Sequence, residues 1–319
     1  MKAVVWTNYG PPDVLQQQDL ERPTPKDNEV LIKVRAASIN SWDWELLNGR
    51  GHISLGGRLK PPYKVLGCDV AGTVEDVGRN VTRFRPGDEV FGDINRDGWG
   101  GFAEYVCARE TSLSMKMTGL SFEQAAAIPQ AAGLAIQGLR DKGKIESGQR
   151  VLINGAGGGV GTFAVQIAKS FGAEVTGVDR AEKLDMLLSI GADHVIDFNK
   201  EDFTRNGLEY DLIVDVVSHR SVFDYKRALA PKGICVLVGG SGGAVLGSLF
   251  LGSWVLRKRK VTLLLYKPNP LDLALICELF EAGKVVPVID KRFALREVAD
   301  AFRYYAEGNA KGKIVVTVQ

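Results

Sequence analysis

The chain has 319 residues, of which 45% are hydrophobic and 24% are charged, an ordinary composition for a globular protein. This length predicts two domains, since a domain commonly has about 100–200 residues. With 40 Lys plus Arg against 38 Asp plus Glu, the net charge is +2, which gives no electrostatic reason to expect a nucleic acid partner.

The cysteines also restrict the class of protein. There are 4 of them, widely scattered and without short spacings. This pattern argues against a disulfide framework and against a four-thiolate zinc lobe. It favours a reducing compartment, and we expect a cytoplasmic protein.

The first 122 residues are predicted to form a β-rich domain. Short β-branched runs at residues 30–37 and 70–78 are typical of strands, and a turn at residues 86–88 leads into another. Gly-rich loops separate these runs, which favours a small barrel or sandwich. The last elements, including an expected strand at residues 313–318, can return to this domain. It would then comprise residues 1–122 and 268–319.

From Ser121 onward, strands and helices alternate, which predicts a parallel sheet covered by helices on both faces. Ser121 and Gln124 form a capping box at the start of the first helix. These elements define an α/β, doubly wound domain over residues 123–267. Its expected strands lie at residues 151–153, 174–178, 212–217 and 234–238, and its first helices at residues 160–171 and 181–190.

Residues 233–256, followed by a basic run at residues 257–260, resemble a membrane span. The glycines at positions 239, 240, 242 and 243 interrupt the stretch, whereas a spanning helix needs about 20 largely uninterrupted apolar residues. We therefore expect a strand and a loop here. A peripheral contact with a membrane surface stays open.

The strongest motif follows the first strand of the inserted domain, where Ala156, Gly158 and Gly161 give the pattern A-x-G-x-x-G. The strand–turn–helix context distinguishes a dinucleotide-binding motif from a chance match. Gly158 lets the backbone approach the pyrophosphate, and Gly161 allows close packing of the helix on the strand. The amides at the helix start, around Gly159 and Val160, then face the phosphates.

Asp179 ends the second strand of this domain, close to the spacing expected for an acid that binds the adenosine ribose. A carboxylate there accepts hydrogen bonds from ribose hydroxyls and repels a 2′-phosphate, which favours NADH. Arg180 and Lys183 favour NADPH, because nearby cations can hold that phosphate. Alternatively, both are solvated charges at the start of a helix. The sequence leaves the choice between NADH and NADPH open.

Several further motifs occur in a characteristic order. They are Gly-Cys-Asp-Val-Ala-Gly at residues 67–72, Pro-Gly-Asp-Glu-Val-Phe-Gly at 86–92, the Gly-rich turn at 154–161, and the runs at 191–196 and 312–316. With them the chain resembles the medium-chain dehydrogenase/reductases, and among these the zinc-independent quinone oxidoreductases. The resemblance implies a GroES-like catalytic domain split around a Rossmann domain, an active site in the cleft, and a nicotinamide cofactor. It also implies a homodimer.

The resemblance allows zinc to be tested against the residues. Where zinc-using relatives carry their ligands, this chain has Asn40 and the pair Cys68-Asp69. A catalytic zinc needs three protein ligands, so we predict that no metal is bound. The alternative is that His52, Cys68 and Asp43 converge on a metal ion.

Without a metal, a conjugated acceptor is the expected substrate, because a quinone or an α,β-unsaturated carbonyl spreads the developing charge. The enzyme then mainly holds the nicotinamide and the acceptor at reacting distance. Asn40 is the candidate donor to the developing oxyanion. Asp43 either orients Asn40 or accepts from the ribose. Backbone expected to face the nicotinamide lies at Val238, Gly239 and Gly240.

We therefore predict a zinc-independent, NAD(P)H-dependent oxidoreductase that transfers hydride to a quinone or an α,β-unsaturated carbonyl. One alternative is an alcohol dehydrogenase of the same superfamily. Another is a nucleotide-binding protein associated with a membrane, supported by the apolar residues 244–256 and the basic run after them.

Overall fold

The structure, a computed structural model, describes residues 1–49, 60–239 and 258–318. The chain forms two compact units. The first unit comprises Met1–Gln130, Pro268–Leu273 and Ile289–Gln319, and the second comprises Ala131–Lys267 and Ala274–Val288.

The first unit consists mainly of strands. Its described elements are β1 (Lys2–Val5), β2 (Gln16–Asp19), β3 (Glu29–Ser38), α1 (Ser41–Leu47), β4 (Asp69–Val77), β5 (Glu89–Asp93), β6 (Tyr105–Arg109), β7 (Leu113–Met115), α2 (Phe122–Ala126), β14 (Ile289–Ala294), α8 (Val298–Ala306) and β15 (Lys313–Thr317), with 3-10 turns at Pro12–Val14, Glu110–Ser112 and Leu295–Glu297.

In this unit a seven-stranded sheet has the order β14-β15-β3-β4-β5-β7, with β6 also paired to β3, while β1 and β2 form a separate pair. β3 is antiparallel to β4, β6 and β15. The C-terminal strand therefore returns to the first unit. Its core includes Phe102 and Phe302, whose rings meet edge to face with centroids 5.9 Å apart.

The second unit is a parallel sheet with helices. Its described elements are α3 (Pro129–Ile136, beginning in the first unit), a π-helical turn (Gln137–Lys142), β8 (Arg150–Asn154), α4 (Gly159–Ser170), β9 (Glu174–Asp179), α5 (Ala181–Ser189), β10 (His194–Asp197), β11 (Tyr210–Asp215), α6 (Val222–Ala228), β12 (Leu229–Leu237) and β13 (Lys260–Leu263); α7 (Pro270–Glu281) spans a boundary between the units.

The six strands of the second unit are all parallel, in the order β10-β9-β8-β11-β12-β13. The order reverses direction between β8 and β11, and ligands of such sheets bind outside the carboxyl ends of the strands at this switch point. Gly172, with φ +81°, follows α4 and ends it, because glycine adopts the left-handed conformation at little cost.

Both units depart from the predicted boundaries. Residues 123–130 belong to the first unit, since α2 packs on β3 and β4. Residues 274–288 belong to the second unit, where the side chain of Gln166 bonds the backbone of Val286 twice. The Gln166 Nε2 donates to the carbonyl at 3.0 Å, and the Val286 N–H donates to Oε1 at 2.8 Å. These packing partners are distant in sequence, so local patterns do not place the boundaries.

Within the described residues, no helix combines the length and apolarity that crossing a bilayer requires. The apolar residues 244–256, on which the alternative of a membrane contact depends, lie outside the described part. Arg259 of the basic run is described and bonds within the second unit. Its Nε donates to the carbonyl of Leu229 at 2.7 Å, and its guanidinium lies 3.3 Å from Glu209.

Candidate functional site

The Gly-rich turn connects β8 to α4 in the second unit. Gly155 has φ +82°, and the N–H groups of Gly155 and Ala156 donate to the carbonyl of Val178 at 3.0 and 3.1 Å. A Cβ on Gly161 would lie 2.2 Å from the Gly155 oxygen, so only glycine allows this approach of the helix. A Cβ on Gly158 would meet nothing nearer than that oxygen at 3.6 Å.

The start of α4 offers backbone amides. Gly158 is the N-cap residue, and no side chain caps this helix. Gly159 and Val160, in its first turn, are partly exposed. The N-terminus of a helix attracts anions through its amides and its dipole. Together with the space beside Gly158, this backbone fits the pyrophosphate of a dinucleotide.

Asp179 lies beside this turn at the end of β9. Its Oδ2 accepts from the N–H of Gly157 at 2.7 Å, and its Oδ1 accepts from the N–H of Arg180 at 2.9 Å. Lys183 lies 3.6 Å from Oδ1, and the two side chains are only 8% and 9% exposed. The alternative that Lys183 is a solvated charge is therefore wrong, because α5 packs it against the carboxylate. Two N–H groups fill only part of the roughly four acceptor positions of a carboxylate, so Asp179 retains capacity for ribose hydroxyls.

Asp215 ends β11 on the other side of the switch point and is 0% exposed. Its Oδ1 accepts from Asn154 Nδ2 at 3.0 Å, from Val217 N–H at 3.0 Å and from Ser218 N–H at 2.6 Å. Its Oδ2 accepts from the Tyr225 hydroxyl at 2.8 Å. The predicted strand at 212–217 therefore ends at Asp215, because this carboxylate turns the following residues away. The only sequence signal for this role is an acid at the end of an apolar strand.

Val238 and Gly239 follow β12 at the same edge of the sheet. The N–H of Val238 donates to the carbonyl of Asp215 at 2.9 Å. A Cβ on Gly239 would lie 2.6 Å from the carbonyl oxygen of Val216. These two residues are thus held against the loop that follows β11. Gly240, predicted with them, lies outside the described residues.

Asn40 and Asp43 lie in the first unit, at the start of α1. Asp43 Oδ2 accepts from the N–H of Asn40 at 2.8 Å, and its Oδ1 accepts from the N–H of Gly67 at 2.9 Å. The side chain is 0% exposed, and this burial raises the pKa of Asp43 to about 7 against the effect of both hydrogen bonds. Asp43 therefore orients the backbone of Asn40. Its burial contradicts the alternative in which it accepts from the ribose.

The side chain of Asn40 is 6% exposed and contacts three polar neighbours. Its Oδ1 accepts from Nζ of Lys313, and its Nδ2 donates to Asp69 Oδ2 at 3.0 Å and to Cys68 Sγ at 3.4 Å. Donation to a substrate oxygen requires one of the Nδ2 contacts to be given up. The long contact with sulfur is the weaker of the two.

Lys313 and Asp69 form a buried ion pair at 3.7 Å, with side chains that are 2% and 0% exposed. Asp69 also accepts from the N–H of Gln130 at 3.2 Å and from the Ser38 hydroxyl at 3.4 Å. Lys313 also donates to the carbonyl of Ile39 at 3.2 Å. Burial raises the pKa of Asp69, and the Lys313 charge opposes part of that effect. Local sequence patterns give no signal for a site role of Lys313.

Three side chains that can ligate a metal come together in the first unit. Cys68, Asp69 and Asp93 each place one ligand atom within 4.8 Å of the others. Zinc binds a thiolate, but burial and nearby carboxylates raise the pKa of Cys68 well above its ordinary value. Its sulfur accepts from two side-chain amides, and the ammonium of Lys313 lies beside Asp69. These donors do not fit zinc. His52, of the predicted alternative, lies outside the described residues.

Comparisons with known proteins define the class. Residues 26–118 match the family model of the alcohol dehydrogenase GroES-like domain, and residues 190–316 match that of the zinc-binding dehydrogenases. The chain is 36% identical over 327 residues to 2-methylene-furan-3-one reductase of Solanum lycopersicum, covering 99% of this chain and 79% of the relative. It is 33% identical over 328 residues to the chloroplastic NADPH-dependent alkenal/one oxidoreductase of Arabidopsis thaliana, with the same coverage of each.

Among solved structures, the quinone oxidoreductase from Coxiella burnetii matches with a TM-score of 0.90 at 31% identity, covering 100% of this chain and 99% of that one. This chain therefore belongs to the medium-chain dehydrogenase/reductase superfamily, in its quinone oxidoreductase branch. The predicted family is confirmed. The predicted fold class, a GroES-like β-rich domain with a Rossmann domain, is also confirmed.

Proposed function

We propose that this protein transfers hydride from a reduced nicotinamide cofactor to a quinone or an α,β-unsaturated carbonyl, without a zinc ion. The observation that carries the proposal is the Gly-rich turn, with space beside Gly158, close packing at Gly161 and open amides at the start of α4. The nicotinamide supplies the hydride when the cofactor is bound. The names of the relatives support this substrate class.

The zinc-free reaction is supported by the charges in the first unit. The Lys313 ammonium lies in the buried cluster where a metal cation would compete with it, and burial raises the pKa of the Cys68 thiol. Reduction of a simple carbonyl concentrates charge on one oxygen, which a Lewis acid stabilises. A conjugated acceptor spreads that charge, so hydrogen-bond donors suffice.

Asn40 is the residue that we propose donates to the acceptor oxygen. It would exchange its 3.4 Å contact with Cys68 Sγ for the substrate, while Lys313 and Asp69 keep the amide oriented. Asp43 supports it by holding the backbone N–H of Asn40.

For the cofactor, we propose a preference for NADH over NADPH. Asp179 stands next to the Gly-rich turn, where a 2′-phosphate would meet its negative charge. Lys183 is buried and paired with Asp179, so its ammonium is already engaged by that carboxylate and not by a phosphate. Arg180 is the remaining candidate to hold a 2′-phosphate. The backbone at Val238 and Gly239 is proposed to face the nicotinamide.

The decisive experiment measures oxidation of NADH and NADPH in parallel with a simple quinone, a simple enal and a primary aldehyde. We expect turnover of the conjugated acceptors, a lower Kd for NADH, and the same rates after dialysis against a chelator. Absence of turnover with every conjugated acceptor would contradict the proposal. Alcohol-dependent reduction of NAD⁺ that the chelator abolishes would instead identify an alcohol dehydrogenase that uses a metal.

We also propose a homodimer in the cytoplasm. The support for this location is that all four cysteines are free thiols, which suits a reducing compartment. The proposal of a dimer is based on the resemblance to the family. Light scattering on the purified protein tests the dimer. Co-sedimentation with anionic liposomes tests the membrane contact that the basic run suggests.

A further inference from the structure

We propose that Asp215 is a positioning residue for the cofactor: its buried carboxylate sets the conformation of the loop at residues 216–218, on which the nicotinamide half of the dinucleotide lies. This inference rests on the proposed function, because it requires a bound dinucleotide. It depends on the place of Asp215 in the sheet, on its hydrogen bonds and on the backbone of the loop.

Asp215 lies at the switch point of the parallel sheet. It is in register with Asn154, the last residue of β8, across the pair of strands where the order reverses. A dinucleotide crosses such a sheet at this point, with one mononucleotide half over each half of the sheet. Asp179 marks the adenosine half, at the end of β9. The loop after β11 therefore belongs to the nicotinamide half.

The hydrogen bonds of Asp215 join three segments. Asn154 donates from the end of β8, Val217 and Ser218 donate from the loop, and Tyr225 donates from α6. Four donors fill the acceptor capacity of one carboxylate. With these partners and 0% exposure, Asp215 does not touch a cofactor. It acts through the loop that it holds.

The loop backbone is in a conformation that needs such support. Ser218 has φ +41° and is 1% exposed. Positive φ is unfavourable for a residue with a side chain, because the Cβ crowds the backbone. Asp215 offsets this cost, since its Oδ1 accepts the Ser218 N–H and its main-chain oxygen accepts the Ser218 hydroxyl at 3.0 Å.

The same loop forms part of the wall beside the Gly-rich turn. Val217 is 39% exposed. A Cβ on Gly155 would lie 3.1 Å from the Val217 side chain, so the two loops are in direct contact. A change in the conformation of residues 216–218 therefore changes the surface offered to the dinucleotide at the switch point.

The test compares binding of NADH and of AMP, because AMP occupies only the adenosine half. The variants are Asp215→Ala, Asp215→Asn and Tyr225→Phe. The matched control is Asp211→Asn at the opposite end of β11, where Asp211 accepts the N–H of Arg150 at 2.9 Å. Calorimetry gives both Kd values, and circular dichroism confirms that each variant is folded.

We expect Asp215→Ala to raise the NADH Kd by about tenfold or more while the AMP Kd changes by less than about twofold. Asp215→Asn should restore most of the NADH affinity. The asparagine oxygen still accepts from the N–H donors, and its amide can donate to the Tyr225 oxygen. Tyr225→Phe should weaken NADH binding by a few-fold, since one bond is lost. The control should bind both ligands like the unmodified protein.

Unchanged NADH affinity in folded Asp215→Ala would overturn the inference. An equal loss of affinity for NADH and for AMP would also overturn it, because it would indicate general damage to the binding domain. If Asp215→Ala does not fold, Tyr225→Phe decides: an NADH Kd equal to that of the unmodified protein overturns the inference. Failure of the unmodified protein to bind NADH and NADPH would overturn the proposed function instead.

Discussion

Lys313 donates a hydrogen bond from Nζ to Oδ1 of Asn40, so the last strand of the chain holds the residue that caps α1. The same ammonium lies 3.7 Å from Asp69, and its side chain is 2% exposed. A buried ammonium requires partners of this kind, because the loss of its hydration is costly. The ammonium that neutralises the buried Asp69 therefore also orients the side-chain amide of Asn40, the candidate catalytic group.

The first prediction concerns this buried cation. Lys313→Met should lower the free energy of unfolding by about 3–5 kcal/mol, because Asp69 is left as an uncompensated buried charge. Urea unfolding at neutral pH measures the loss. The matched control is Lys2→Met, which removes an exposed ion pair to Asp19 with side chains 49% and 72% exposed. That control should leave the free energy of unfolding nearly unchanged, because water screens an exposed pair.

The double variant Lys313→Met/Asp69→Asn checks the cause. Removal of the carboxylate charge should return part of the lost stability, so the two substitutions should be non-additive. A double variant whose loss equals the sum of both single losses would show that the charges do not interact.

The second prediction uses two glycines of the same turn. Gly158→Ala should fold with nearly unchanged Tm, because the added Cβ meets only the Gly155 oxygen at 3.6 Å. It should nevertheless weaken NADH binding by about tenfold or more, because the methyl group occupies space that the pyrophosphate needs. Thermal unfolding and NADH titration of one preparation measure both quantities.

Gly161→Ala is the comparison for this variant. Its Cβ would lie 2.2 Å from the Gly155 oxygen, so it should destabilise the second unit itself and lower the Tm. The turn would not be the pyrophosphate site if Gly158→Ala bound NADH as tightly as the unmodified protein.

The third prediction concerns the ribose. Asp179→Asn keeps an acceptor for the N–H of Gly157 but removes the negative charge. The ratio of NADPH Kd to NADH Kd should therefore fall by about five- to tenfold, as expected for loss of about 1 kcal/mol of charge repulsion. Asp185→Asn, an exposed position on α5, is the control and should leave the ratio unchanged. A higher affinity for NADPH in the unmodified protein would assign the phosphate to Arg180 instead.

The fourth prediction is a pH dependence of stability that originates in Asp43. Its folded pKa of about 7 lies above the ordinary 3.8, so the folded state holds the proton more tightly. The resulting stabilisation is fully present below pH 3.8 and is lost as the pH rises to about 7. Relative to Asp43→Asn, the unmodified protein should lose a few kcal/mol across this window.

Urea unfolding at several pH values from 4 to about 8 measures this difference. Other acids whose pKa is lowered, such as Asp193 and Asp224, give the opposite trend at low pH, but they titrate alike in both proteins. Their effect cancels in the comparison. A difference in stability that does not vary with pH would show that Asp43 is ionised throughout.

The family, the class of fold and the Gly-rich turn are determined by the sequence itself. Each depends on local patterns: apolar strands that alternate with helices, the capping box at Ser121 and Gln124, and glycines at fixed offsets after a strand. Asp179 also follows from spacing, because the strand and the helix between it and the turn have a predictable length. Local patterns of this kind need no knowledge of distant contacts.

Tertiary structure alone decided which side chains surround the polar groups. Lys313 and Asn40 are separated by 273 positions, and only the pairing of β15 with β3 brings them together. The sequence allows Asp43 either to orient Asn40 or to accept from the ribose, and its complete burial leaves only the first role. The sequence alone does not single out Asp215; its role follows from the four hydrogen-bond donors that the structure places around it. Burial and partners determine the chemistry of a charged group, and both arise from strand pairing between remote segments.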